Sequence, residues 1–224
     1  MKRLLALSLL ALSLIAQNRP PSVRANGEGV VSAQPDVVRI SLTIMTIATT
    51  ASEAADQNAT VSQAVTARVK GLVGTNGEMR TTGYSVNPNY RSNPTGGNTL
   101  TGFSASNTLE VTAFDLNLAG RIIDAAVQAG ATSVSGLRFG LRDSTPQRRE
   151  ALKLATQVAR ADATAIAEGL GVRLGAILAA DEGSTVSFFN PADARASVGA
   201  VATTFDTGLV EVRATVSLEI AISQ

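Results

Sequence analysis

The sequence predicts an α+β fold, an antiparallel or mixed sheet carrying three helices in the order ββαββαβαββ. Three observations predict it. Near the C-terminus, Val210, Val212, Ala214, Val216, Leu218, Ile220 and Ile222 alternate with Glu211, Arg213, Thr215, Ser217 and Glu219. That is the period of a strand with one buried face. From Thr145 to Gly171 the chain reads as one helix of about seven turns, with Ala151, Ala155, Ala159, Ala163 and Ala167 recurring every four residues. One-sided alternation recurs in the other strands, which suits a sheet covered by helices on one face rather than a parallel sheet buried on both.

The elements follow in order. After Pro20-Pro21, Val23–Ala33 reads as a strand containing Gly27 and Gly29, and Pro35-Asp36 marks a turn. Val38, Ile40, Leu42 and Ile44 alternate with Arg39, Ser41 and Thr43 in a second strand, whose far end, with Met45 and Ile47, is expected to be covered on both sides. Thr50 or Ser52 caps a helix with an acidic first turn, running to about Val73 and stopping at Gly74–Gly77. Glu78–Val86 is a third strand. Asn87 to Asn98 is rich in Pro, Gly and Asn and reads as a loop. A strand ending near Ala113 follows and is expected to pair with the third as a long-looped hairpin.

Asp115–Ala129 is a helix ended by Gly130, with Leu118, Ile122, Ile123 and Ala126 turned inward. Val134–Leu141 is the fifth strand. In the long helix, Thr145 is the expected N-cap, Pro146 takes the first helical position, and Gly169 and Gly171 suit the exit. A helical projection puts Ala151, Leu152, Ala155, Val158, Ala159, Ile166 and Leu170 on one face. Lys153, Gln157, Arg160, Thr164 and Glu168 lie on the other. Leu174–Glu182 is a sixth strand, and Val186–Thr207 reads as a second irregular loop. The last strand is long and carries no Pro and no Lys; lying at a sheet edge, it would invite pairing with another chain.

Composition narrows the chemistry. The 224 residues contain no His, no Cys and no Trp. Ser-His-Asp and Cys-His nucleophile systems are excluded, as are His- or thiolate-ligated zinc, haem and iron–sulfur centres. Lys2 and Arg3 precede an apolar run, Leu4–Ala16, broken only by Ser8 and Ser13. This is a signal-peptide pattern, short for a bilayer span, so residues 1–16 are expected to be removed and 17–224 to form the mature domain. Cleavage after Ala16 is favoured; Ala25, with Val23 before it, is the other candidate. Removing Lys2 and Arg3 from the 19 basic residues leaves 17 against 18 acidic ones, a net charge of −1. Scattered near-neutral charge gives no footprint for nucleic acid.

Several motifs together resemble the SIMPL-domain family of bacterial periplasmic immunogenic and stress-linked proteins. They are Gly27-Glu28-Gly29 to Pro35-Asp36-Val37 with the Thr50–Ala54 and Asn58 helix start; Thr81–Pro88 with Tyr90; Gly102-Phe103 through Asn107, with Asp115-Leu116, Gly120, Ile123-Asp124 and Ala129–Ala131; and Glu150–Leu152 through the alanine row to Leu170-Gly171 and Leu174-Gly175. The resemblance runs from Val23 to the C-terminus, and it lies in the order and spacing of the motifs together. It implies an α+β fold, an envelope location and, in some members, large ring-like or channel-like oligomers and a role in oxidative-stress tolerance. It supplies no catalytic residues. It departs at Asp162, where the family pattern has a basic residue.

Several single residues are candidate sites. Gly27-Glu28-Gly29 lacks the third glycine and the following helix of a nucleotide loop, so a structural role is preferred. Asp162 sits near the middle of the apolar helix face. There it is either a general acid or base, or, as preferred, the partner of Arg138 or Arg142 or part of a subunit interface. Glu78, Asp143 and Asp181-Glu182 are acids at element ends without calcium-loop spacing. Arg148-Arg149 reads as a solvated first helical turn. Tyr84, Tyr90 and Phe188-Phe189, in or beside the irregular stretches, mark either a partner surface or residues folded back on the core.

The expectation is therefore a non-enzymatic, exported periplasmic protein. It has no catalytic, cofactor or metal residues to name, no nucleic-acid partner and no stable membrane span after cleavage. A homo-oligomer with a structural or stress-protective role is expected, and outer-membrane association or secretion stays open. The alternatives are a small-ligand module whose mouth is formed by Asn87–Asn98 and Val186–Thr207, and a carboxylate-based hydrolase.

Overall fold

The computed structural model describes residues 20–92, 96–187 and 207–224. The element order is the expected one: β1 (Ser22–Ala33), β2 (Val37–Ala48), α1 (Ala51–Val73), β3 (Gly77–Ser92), β4 (Asn98–Ala113), α2 (Leu118–Gln128), β5 (Ser133–Gly140), α3 (Thr145–Leu170), β6 (Arg173–Ser187) and β7 (Val210–Ser223). The strands form two antiparallel sheets, β3-β4-β2-β5 and β1-β7-β6. The chain divides into two compact units. One comprises Val31–Arg148 with Thr185–Arg213; the other comprises the residues up to Val30, Arg149–Ser184 and Ala214–Gln224.

In the four-stranded unit, Val38, Ile40, Leu42 and Ile44 of β2 and Leu109, Val111 and Ala113 of β4 point into the core. They meet Val65, Val69 and Val73 of α1 and Ile122 and Ala126 of α2. Thr50 caps α1, its hydroxyl accepting from the Glu53 amide at 3.2 Å, and Gly74 ends the helix at a φ of 55° that glycine tolerates without strain. Among the described residues two polar side chains, Asn58 and Ser62, are buried against this core. The Asn58 amide donates to the carbonyls of Ile44 (2.9 Å) and Ala105 (3.1 Å), tying α1 to β2 and β4. The Ser62 hydroxyl donates back to Asn58 Oδ1.

The β3–β4 hairpin corrects the sequence reading. Most of Asn87–Asn98 is strand, since β3 runs to Ser92 and β4 begins at Asn98. Pro88 misleads because a proline is compatible with an edge strand, where one side of the backbone needs no ladder donor. β3 is that edge, and irregularities after Thr81 and Asn89 absorb the register. Met45 and Ile47, expected to be covered on both sides, are exposed. Beyond Thr43 the β2 pairing with β5 has ended, and only β4 continues beside it.

In the three-stranded unit, β7 lies between β1 and β6. The expectation of β7 as a sheet edge is overturned, and its alternating apolar face belongs to a central strand. α3 packs on this sheet through its alanines, which are all buried. Val23 and Ala25 of β1 and Val216, Leu218 and Ile220 of β7 meet Ala155, Ala159 and Ala163. The contact strip is narrower than the projected face. Val158, Ile166 and Leu170 are exposed, because a helix seated through methyl groups touches the sheet along one i, i+4 row only. The start of α3 also differs. Asp143 Oδ1 accepts from the Thr145 amide at 2.8 Å, and the Ser144 carbonyl accepts the first helical bond from Arg148. The cap thus lies just ahead of Thr145.

Candidate functional site

The outer face of the four-stranded sheet, opposite its helices, is built in cross-strand rows by the register. Glu78, Thr112, Arg39 and Arg138 are aligned across β3, β4, β2 and β5, and Arg80, Glu110 and Ser41 form the next row. Strand alternation that sends Val38, Ile40, Leu109 and Val111 inward sends Arg39, Glu110 and Thr112 outward. At the end of this face lies a concavity of about 410 Å³, lined by Arg39, Glu78, Arg80, Glu110, Phe114 and Arg142 among others.

The charges in it are unevenly engaged. Both Nε and Nη2 of Arg80 donate to Glu110 Oε1, at 2.9 and 2.6 Å, so that pair is internally neutralised. The Arg142 guanidinium lies 3.8 Å from the centroid of the Phe114 ring, within range of a cation–π contact. Its backbone amide donates to Asp36 Oδ1 at 2.6 Å. Asp36 in turn donates its own amide to the Gly140 carbonyl. The turn before β2 therefore fixes Arg142, and the β4 exit supplies the ring it rests on.

In the three-stranded unit, a second concavity of about 580 Å³ lies beside Glu28, Asp181, Glu182 and Thr215. Among the described residues no group of three or more acids stands close enough to hold a metal ion. On the same sheet Arg24 donates to Glu219 at 2.7 Å. That hydrogen bond and the Glu219 charge raise the Arg24 pKa further above its ordinary value. The pair is exposed and contributes little to stability.

The sequence candidates are distributed differently from expectation. Asp162 is exposed, so the buried-carboxylate reading is overturned. It shares an i, i+4 row with Leu154, Val158, Ile166 and Leu170 beside the alanine ridge. Gly27 and Gly29 are buried and structural. Asp143 is spent on the α3 start, and Arg148-Arg149 form its first turn. Tyr84 and Tyr90 are exposed on β3, Tyr84 in the expected strand and Tyr90 in strand where a loop was expected. Phe188-Phe189 and residues 1–16 lie outside the described residues. Of the expected ligand mouth, most of Asn87–Asn98 is strand, and residues 188–206 of its Val186–Thr207 half lie outside the described residues. Two acids do share a cavity, Glu78, which is a sequence candidate, and Glu110, which is not. Arg39, Arg80, Glu110 and Phe114 were missed; alternation placed them outward, but only strand order 3-4-2-5 brings them together.

A family model described as SIMPL, protein of unknown function (DUF541), matches residues 23–220. The chain belongs to the SIMPL family. The matched span takes in all three helices and every strand except the first residue of β1 and the last three of β7. Among SIMPL relatives, the 26 kDa periplasmic immunogenic protein of Brucella melitensis biotype 1 is 29% identical over 168 residues, 73% of this chain and 67% of the relative. The protein of the same name from Brucella abortus strain S19 matches with the same identity and coverage. Among the described residues of this SIMPL chain, no helix is long and apolar enough to cross a membrane.

Proposed function

We propose that this SIMPL chain is an exported, non-enzymatic protein of the bacterial cell envelope, periplasmic after loss of residues 1–16, that works as a homo-oligomer in a structural or stress-protective role. The location is supported by relatives named as periplasmic proteins and by the basic-then-apolar N-terminus. Ala25 is a poor cleavage point, because Val23 and Ala25 are buried core residues of β1 that cleavage there would remove.

Assembly rests on one observation. Leu154, Val158, Ile166 and Leu170 form a row along α3 that is 36%, 42%, 41% and 62% exposed. The row is broken at its centre by the exposed Asp162; apolar side chains on either side of it are favourable to cover, and closed oligomers are a common way of covering them. The deciding experiment is light scattering on the mature protein: a mass several times the monomer is expected, and a stable monomer at micromolar concentration overturns the assembly.

A second reading, a module for a small envelope ligand, is favoured by the concavity of about 410 Å³ with its fixed Arg142. That size is within the usual range of ligand pockets.

A further inference from the structure

We propose that the concavity on the outer face of the four-stranded sheet takes a small zwitterion, an amino acid or a short peptide, with its carboxylate at Arg142 and its ammonium at Glu78. The inference rests on the ligand-module reading above and names the class of ligand.

Two charges of opposite sign line this cavity without an ion-pair partner among the described residues: the Arg142 guanidinium and the Glu78 carboxylate. The other three charged side chains on the wall are engaged: Arg80 and Glu110 pair with each other, and Arg39 is not free. A simple anion would meet Arg142 but would be repelled by Glu78, and a simple cation would meet the reverse. A molecule carrying both charges is favoured at both ends.

Arg142 is suited to the carboxylate end. Stacking on Phe114 holds the guanidinium plane, and the Asp36 bond holds its backbone. Its edge N–H groups remain in a geometry that matches a carboxylate in two-pronged fashion. Because the group is already held, less freedom is lost on binding. The register places Glu78 of β3 and Arg39 of β2 on either side of Thr112, with β4 between them. The Thr112 hydroxyl, on the cavity wall, adds a neutral donor and acceptor between the two ends. A volume of about 410 Å³ accommodates a dipeptide as well as a single amino acid.

The test is an NMR titration of the mature protein, following the Phe114 ring and the Arg142 Nε–H signals. The probes are alanine, alanyl-alanine, propionate and ethylamine. Saturable shifts are expected with alanine, alanyl-alanine or both, and which of the two binds more tightly identifies the ligand length. Propionate and ethylamine, each carrying one of the charges, are expected to bind at least about tenfold more weakly. Arg142→Gln and Glu78→Gln are each expected to weaken zwitterion binding about tenfold, with unchanged melting temperatures because both side chains are exposed. Should Arg142→Gln lower the melting temperature, Glu78→Gln carries the test alone. If propionate binds as tightly as alanyl-alanine and Glu78→Gln tightens it, the zwitterion is overturned while the ligand module stands. If none of the four probes shifts either signal, both are overturned.

Discussion

Gly27 of β1 lies directly beneath Ala155 of α3. A Cβ built on Gly27 would fall inside the Ala155 carbonyl oxygen and 2.5 Å from the Ala159 amide nitrogen. Gly29 has the same relation to Ala151, with the Ala155 amide at 2.7 Å. The obstructing atoms are helix backbone, which cannot rotate away. Gly27→Ala is therefore expected to destabilise the protein by about 3 kcal/mol, at the upper end of overpacking costs. Ala159→Leu should act in the same direction. Gly71 is the control: it is exposed in α1 with open space around the added atom, so Gly71→Ala should stabilise by about 0.5 kcal/mol. Urea unfolding of the three variants checks the opposite signs; equal midpoints for Gly27→Ala and wild type would refute the close packing.

Asn58 is fully buried and donates to two strand carbonyls. Asn58→Ala removes both bonds and leaves the Ser62 hydroxyl without its acceptor, at an expected cost of about 2 kcal/mol. Asn58→Asp has a pH signature. An ionised carboxylate in this place donates nothing, so the folded state raises the pKa of the introduced acid. Its neutral form can still donate once. Stability is then greatest below the ordinary aspartate range and falls as pH rises through it. Thermal melts across pH 3 to 7 (roughly the aspartate titration range and above) would show a decline absent in the parent protein.

Thr215 lies in β7, the middle strand of its sheet. As an edge residue it would be expected to tolerate proline and lose only a partner chain. In a central strand its N–H belongs to the ladder, so Thr215→Pro should unfold the sheet. Val216→Lys, which buries a charge among Leu218, Ala159 and their neighbours, should do the same. Circular dichroism distinguishes loss of structure from dissociation of folded subunits; a folded, dissociated Thr215→Pro variant would contradict the strand order.

Val158 is on the exposed row of α3 and off the alanine ridge. Val158→Glu should change the stability of the isolated subunit by less than about 0.5 kcal/mol and reduce the mass seen by light scattering. An unchanged assembly would remove α3 from the interface.

Export is checked by N-terminal sequencing of the periplasmic fraction, where Gln17 is expected as the first residue. Intact Met1 in a membrane fraction would overturn processing.

The sequence by itself determined the order of strands and helices and where most of them run. Alternation in β2, β4 and β7, the Thr50 and Gly74 caps and the alanine repeat of α3 are local signals, and local backbone chemistry is enough to read them. It also determined which chemistries are absent, because no His or Cys exists to perform them. Tertiary structure decided what those elements meet. Helical projection could not say that Val158 and Leu170 face water, because the width of a helix contact depends on how closely the partner backbone approaches. Nor could it say that Asp162 lies outside the buried strip. Pro88 looked like a loop residue until β3 proved to be an edge. β7 looked like an edge until β1 and β6 were found on either side of it. Glu78, Arg39, Phe114 and Arg142 are far apart in the chain, and only the pairing of β4 with β3 and of β2 with both β4 and β5 brings them around one cavity. Strand pairing is a long-range choice, settled by which buried faces fit together, and no local pattern encodes it.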